Sequence, residues 1–254
     1  MVIPFVNDQK LIVDGRFSCT AGQFYEGLTE WNSMIFLMRY LSQNDVFFDI
    51  GANAGVYTII SSGVCSAYTH AFEPDHNAYL FLQEQIELNN LQNLVNLHRV
   101  AVGESGKMAK MSVGLDQNNH ILTSDGTDTF TEVEMISIDA LQEVKPVTVM
   151  KIDVEGYEFQ VIDGASHTLN SDALQVVITE MMDFGDRYHF DHDGLKQKYD
   201  QAGLKLVNYS VEKNFCAYTN RWKNMNILVK DIDKVNQRLS EFNGEILIQN
   251  QYVI

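Results

Sequence analysis

Between Val46 and Gly55 the chain reads Val-Phe-Phe-Asp-Ile-Gly-Ala-Asn-Ala-Gly, an apolar run broken only by Asp49 and followed at once by a turn with two glycines. A strand covered on both faces of a parallel sheet looks like this, apolar at nearly every position rather than at alternate ones. Glycines placed where a strand ends and a helix begins let the backbone approach a ligand and aim helix amides at it. The turn by itself suits the carboxylate of a methionine moiety as well as a pyrophosphate. It also suits plain close packing of strand on helix.

The cadence continues downstream. The sequence predicts a short helix over Val56–Gly63, then a strand over Tyr68–Phe72 that ends in Glu73 and Pro74. Asp75 is placed to cap the next helix, where Tyr79, Leu82 and Ile86 recur at spacings of three and four. Leu94–Val102 reads as a third strand, Lys107–Val113 as a segment at or near an edge, and Gly114–Phe130 as a long polar loop. Strands follow at Val133–Ile138 and at Val147–Ile152, the latter interrupted by Lys151. A helix to about Leu169, a strand over Val176–Thr179 closed by Glu180, a helix near Leu195–Ala202, and strands near Leu204–Val211 and Met225–Val229 complete the series. Such alternation predicts an α/β fold with a mainly parallel sheet. The expected organisation is an N-terminal strand and helix extension over 1–44 that caps the acceptor site, a core over 45–230, and a C-terminal helix and tail over 231–254 packed on the same domain. No internal repeat is present.

Charge narrows the partners. Lysine and arginine number 18 against 34 aspartates and glutamates, a formal net charge of −16, which repels phosphate backbones and anionic membranes and attracts a small cation. Nucleic acid and membrane are therefore not expected as partners. With 45% hydrophobic residues and 3 prolines the composition excludes disordered and collagenous chains. Cys19, Cys65 and Cys216 are far apart and show no paired spacing, so reduced thiols are expected. No apolar run approaches the ~18 residues of a membrane span, and Met1–Asp14 lacks the pattern of a secretory signal. A cytoplasmic location is the expectation.

Glu73 lies 22 residues beyond Gly51 and ends the second predicted strand. A carboxylate there is placed to accept hydrogen bonds from both hydroxyls of a ribose, which S-adenosylmethionine and NAD both present. Asn53 separates the two, because a dinucleotide fingerprint wants glycine at its position for pyrophosphate approach.

These residues, taken with several later ones, resemble the FkbM-like branch of class I S-adenosylmethionine-dependent methyltransferases. The resemblance runs through Tyr25-Glu26, Phe48 to Tyr57, Ala71-Phe72-Glu73-Pro74, Leu88-Asn89, Ala101-Val102-Gly103, Ser137-Ile138-Asp139 and Lys151 to Glu158, and closes on Glu180. Gln85 stands where the family more often has asparagine, and nothing from Asp183 onward carries the signature. The resemblance implies a Rossmann-like seven-stranded, mostly parallel sheet with helices on both faces and a reversed last strand. It further implies S-adenosyl-L-methionine as cofactor and S-adenosyl-L-homocysteine as product. Asp49, Gly51, Asn53 and Gly55 would surround its methionine part, Glu73 its ribose and Ala101 its adenine edge, with Asp153 near the sulfonium and Glu26 and Pro74 as further cofactor-binding residues.

The chemistry implied is O-methylation of a hydroxyl on a glycan or secondary metabolite. Transfer from a sulfonium is an in-line displacement, so alignment and exclusion of water are the main tasks. An aliphatic hydroxyl with a pKa near that of water, ~15.7, must still lose its proton during transfer. Candidate bases are Asp153, Glu155, Glu180 and His189, with His120 and His192 as further histidines. Asp153, Glu155 and Glu180 also form a set able to hold a magnesium ion, although no metal is the favoured reading. The acceptor region is expected in three segments: the chain up to Tyr40, the loop Gly114–Phe130, and Met182–Asp193, with His120, Tyr188 and His189 contacting a small-molecule or glycan acceptor. The alternative functions are an NAD-dependent dehydrogenase and a non-catalytic cofactor-binding scaffold subunit.

Overall fold

A computed structural model describes residues 1–114, 119–122, 129–141, 145–181 and 191–253. The chain opens with β1 (Val2–Pro4), β2 (Lys10–Ile12), α1 (Ser18–Glu26) and α2 (Trp31–Tyr40). The repeating part follows with β3 (Val46–Ile50), α3 (Val56–Thr58), β4 (Tyr68–Phe72), α4 (His76–Leu88), β5 (Val95–His98), β6 (Ala101–Val102), β7 (Lys107–Ser112), β8 (Phe130–Ile136) and β9 (Val149–Ile152). Then come α5 (Glu158–Asp163), α6 (Ser166–Asn170), β10 (Val176–Glu180), α7 (His192–Gln201), β11 (Lys205–Ser210), β12 (Phe215–Tyr218), β13 (Met225–Val229), α8 (Ile232–Ser240), β14 (Leu247–Ile248) and β15 (Tyr252–Val253).

Eight strands form the central sheet in the order β12-β11-β13-β10-β9-β3-β4-β5. From β10 through β9, β3 and β4 to β5 every pairing is parallel, and β13 is inserted antiparallel between β10 and β11. This is the Rossmann-like sheet with a reversed last strand. The hairpin from β11 adds β12 as an eighth, outer strand that the sequence reading did not anticipate. Alternate residues of the buried strands serve opposite faces. Phe47, Val149, Val176 and Ile178 join α2, the π-helical continuation of α3 over Ile59–Val64, and α8 in one core. Phe48, Ile50, Met150, Ile152 and Val177 join α5 and α7 in the other.

Three predicted strands contribute to a second sheet. Leu94–Val102 is split, because β5 stays in the main sheet while β6 turns into a separate three-stranded sheet, β6-β8-β7. That small sheet buries Ala101, Met111, Val133 and Met135 together. The helix expected to run to Leu169 is broken at Gly164 into α5 and α6. A Cβ at Gly164 would meet the Gly103 carbonyl, so the chain turns where it presses on β6.

Terminal segments pack on this frame. Gln85 and Asn89 of α4 bond the backbone of β2 like strand residues, Gln85 to Ile12 N and O at 2.9 Å each and Asn89 to Lys10 N and O at 2.8 and 2.9 Å. The longer Gln85 side chain is what reaches Ile12. Phe5 and Ile248 lie in the same core as α2 and α8, and Arg238 of α8 pairs with the buried Asp45. Among the described residues no helix is long and apolar enough to cross a membrane.

Candidate active site

A cavity of about 670 Å³ opens at the carboxyl ends of β3, β4, β9 and β10, where the parallel strands release their chains. Its floor is the turn after β3. Gly51 has φ +76°, and a Cβ there would overlap the Asp153 carbonyl oxygen, so only glycine allows β3 and β9 to end this close together. Gly55 has φ +83°, and a Cβ there would press into Leu82 of α4. Asn53, at φ +46°, also turns left-handed, and its N–H donates to Glu73 Oε2 at 2.8 Å. Glu73 accepts a second bond from Asp75 N at 2.8 Å through its other oxygen. Burial pushes its carboxyl up to about 7, against those two amides. Each oxygen keeps a lone pair for a further donor from the cavity.

Asp49 and Lys151 occupy register partners on neighbouring strands β3 and β9. This is how two charges survive in otherwise apolar strands: Lys151 Nζ lies 3.6 Å from Asp49 Oδ1, and Asp49 Oδ2 accepts from Thr58 Oγ1 at 2.6 Å. The same ammonium donates to the Gly51 carbonyl at 3.0 Å and pairs with Asp153 at 3.0 Å. Burial would lower its pKa, but the carboxylates of Asp153, Asp49 and Glu30 outweigh that and raise it. Lys151 therefore stays charged and ties the glycine turn to Asp153.

At the other end Asp153, Glu155 and Glu180 each bring one carboxylate oxygen to within 4.8 Å of the others. Glu155 reaches this place through a left-handed backbone, φ +57°, followed by Gly156 at +100°. Glu158 holds that turn, accepting from Val154 N and Gly156 N at 3.2 Å each. Burial and then the charges of Asp153, Glu155 and Glu158 raise the Glu180 carboxyl strongly. An ionised Glu180 leaves Oε2 buried with no hydrogen-bond donor among the described residues, whereas a protonated one can donate to Asp153.

The cavity thus brings together Gly51, Asn53, Glu73, Pro74, Ala101, Asp153, Glu155 and Glu180. Asp49 lies beneath its floor, fully buried, and Gly55 does not line it. Glu26 is not there. It ends α1 exposed to solvent, and the acid that lines the cavity is Glu30, at the start of α2. Glu30 accepts from Tyr57 OH at 2.5 Å, and the same hydroxyl lies 2.8 Å from Ser33 Oγ. Burial, then the charge of Asp153, raises the Glu30 carboxyl. His120 lines the cavity, His192 begins α7 away from it, and Tyr188 and His189 lie outside the described residues.

Sequence reasoning missed Glu30, Lys151 and Glu158. Lys151 and Glu158 both stand in the stretch that carries the resemblance, and Lys151 had left a further signal: a lone lysine in one apolar strand and a lone aspartate in another are a candidate register pair. Nothing in the sequence prefers Glu30 to Glu26, because the turn at Gly27 decides which acid points inward. That turn is locked by Gln23, which bonds Thr29 N and Oγ1 at 3.1 and 2.6 Å.

Residues 49–206, more than half of the chain, match the profile of the methyltransferase FkbM domain. The hexuronic acid methyltransferase AglP of Haloferax volcanii is 26% identical over 146 residues, 57% of this chain and 59% of that protein, so the chain spans about three fifths of that relative's length. Among solved structures, the FkbM methyltransferase of Methylobacillus flagellatus aligns with a TM-score of 0.49 at 16% identity, covering 86% of this chain and 56% of that one. A Streptococcus mutans protein assigned to the methyltransferases and crystallised with S-adenosylhomocysteine aligns with a TM-score of 0.46 at 13% identity, covering 77% and 93%. Through the match over 49–206, this chain belongs to the FkbM methyltransferase domain family.

Proposed function

We propose that the protein is an S-adenosylmethionine-dependent methyltransferase that methylates a hydroxyl of a glycan or small molecule. The observation that carries this reading is the pairing, across one cavity, of buried Glu73 with a glycine turn too tight for any side chain at Gly51. Glu73 would receive the ribose hydroxyls, and Gly51 and Asn53 would flank the methionine part. Glu30, which lines the cavity where Glu26 does not, would be the acid for the methionyl ammonium. Ala101 would border the adenine. When bound, the cofactor supplies an electrophilic methyl group. Asn53 in a left-handed turn disfavours the dehydrogenase alternative.

Asp153 is the base in this reading. Lys151 pairs with it at 3.0 Å, while burial and the neighbouring carboxylates raise the Glu180 carboxyl, so Asp153 is the member of the pair placed to take the acceptor proton. A glycan acceptor is supported by the relative named for hexuronic acid.

Calorimetry with S-adenosylhomocysteine tests the cofactor, followed by a methyl-transfer screen over neutral sugars, uronic acids and small polyols. NAD is expected not to bind where S-adenosylhomocysteine saturates, and the opposite ranking sinks the reading. Asp153→Asn keeps the shape and removes the charge, so turnover should fall at least about a hundredfold with a smaller change in cofactor affinity. Survival of activity within a few fold would move the base to another residue. A second reading, favoured by the three converging carboxylates, gives Asp153, Glu155 and Glu180 to a divalent cation that would lower the acceptor pKa. Loss of turnover in a chelator, restored by magnesium, selects it.

A further inference from the structure

Residues 119–122 run antiparallel to β7 as a short extra rung of the small sheet. Ser112 N donates to the His120 carbonyl at 2.9 Å, Leu122 N donates to the Lys110 carbonyl at 2.7 Å, and Met111 bridges Ile121. His120 is pinned twice to the buried Ser112 hydroxyl, its N–H at 2.9 Å and its Nδ1 at 3.1 Å. Strand alternation then puts Asn119 on the face of Ile121, which is buried with Ala101 and Met111. Asn119 faces back across the cavity, with Nδ2 3.5 Å from Asp75 Oδ2, two residues beyond Glu73.

This segment therefore stands at the Glu73 end of the cavity, beside Asp75. The sequence had assigned it to the acceptor. Beyond Glu73 the wall is an apolar slot of Val102, Met111 and Ile121, and its rim carries the Asn119 amide. A planar, mostly apolar base with a donor and an acceptor side by side on one edge fits that combination. An asparagine amide, donor and acceptor in one plane, pairs with adenine in this bidentate way.

We propose that Asn119, with Met111 and Ile121, forms the adenine-reading wall of the cofactor site. The proposal rests on the S-adenosylmethionine reading above. It makes Asn119 a binding residue for the nucleoside, and it removes His120 from the acceptor contacts.

The test is calorimetry on the full chain and on Asn119→Ala with three ligands: S-adenosylhomocysteine, adenosine, and purine riboside, which lacks the 6-amino group. Asn119→Ala should bind S-adenosylhomocysteine and adenosine about 10- to 100-fold more weakly, the loss of both hydrogen bonds of the pair. Purine riboside should bind the unaltered chain about tenfold more weakly than adenosine, and Asn119→Ala should abolish that difference. A mere loosening of the Asn119–Asp75 link would weaken both nucleosides equally and leave the difference intact, which overturns the proposal. So does adenosine affinity within twofold of the unaltered chain. An unchanged melting temperature shows that the variant is folded. If the unaltered chain binds neither S-adenosylhomocysteine nor adenosine, the cofactor reading fails and this assignment goes with it.

Discussion

Glu73 illustrates how one side chain meets opposing requirements. Burial favours its neutral form, whereas accepting hydroxyls and two backbone amides requires the anion. With its pKa pushed from 4.5 to about 7, the folded chain holds this proton more tightly than the unfolded one. The associated stability is full below about pH 4.5 and is lost as pH rises through 7, a contribution of about 3 kcal/mol. Cofactor affinity should run the other way, since in the proposed role it is the ionised form that accepts the ribose hydroxyls. Titrations between pH 5.5 and 8 should show S-adenosylhomocysteine binding strengthening as pH rises through about 7. Glu73→Gln should remove that dependence and cost 1.5 to 3 kcal/mol, about 10- to 150-fold. Lys151 gives a second test at this scale. Lys151→Met strands the fully buried Asp49, so unfolding stability should fall by about 3 to 5 kcal/mol. The double variant Asp49→Asn, Lys151→Met should recover much of it, and additive losses in chemical denaturation would show that the two residues are not coupled.

Among elements, α2 does more than cover the sheet. Its first turn sets Glu30 and Ser33 against Tyr57, its buried face packs on the core, and its far end meets α8 at Tyr40 and Arg238. α8 in turn buries Val235 and Leu239 in that same core. Leu239→Ala should destabilise by about 2 to 5 kcal/mol through lost burial and a residual cavity. Differential scanning calorimetry should show one transition moving as a whole, as expected if 1–44 and 231–254 fold together with 45–230. A separate early transition in the variant would divide them into independent units. S-adenosylhomocysteine affinity at a temperature well below melting should be unchanged, because α8 contributes no residue to the cavity.

For the whole molecule the net charge of −16 acts at long range. S-adenosylmethionine carries one net positive charge and S-adenosylhomocysteine none, so the field should speed association of the first and leave the second alone. Stopped-flow association of S-adenosylmethionine should slow as ionic strength rises from about 0.01 M to 0.3 M, where the screening length becomes much shorter than the protein. An equal response of both ligands would rule out steering by charge.

The sequence by itself determined the parallel core. Val46–Ile50, Val149–Ile152 and Val176–Thr179 are apolar at almost every position, broken only by Asp49, Lys151 and Thr179, and a strand of that kind belongs between two layers. It likewise marked the glycine turn and Glu73, whose roles depend on local backbone geometry and a fixed spacing. Tertiary structure decided what depends on which distant segments meet. The turn at Gly27, locked by Gln23 and Thr29, brings Glu30 and not Glu26 inward. The departure of β6 from the main sheet carries β7 and residues 119–122 to the Glu73 end of the cavity. The register of β3 against β9 sets Lys151 beside Asp49. Periodicity records which face of a strand is buried, but it carries no record of the partner that buries it.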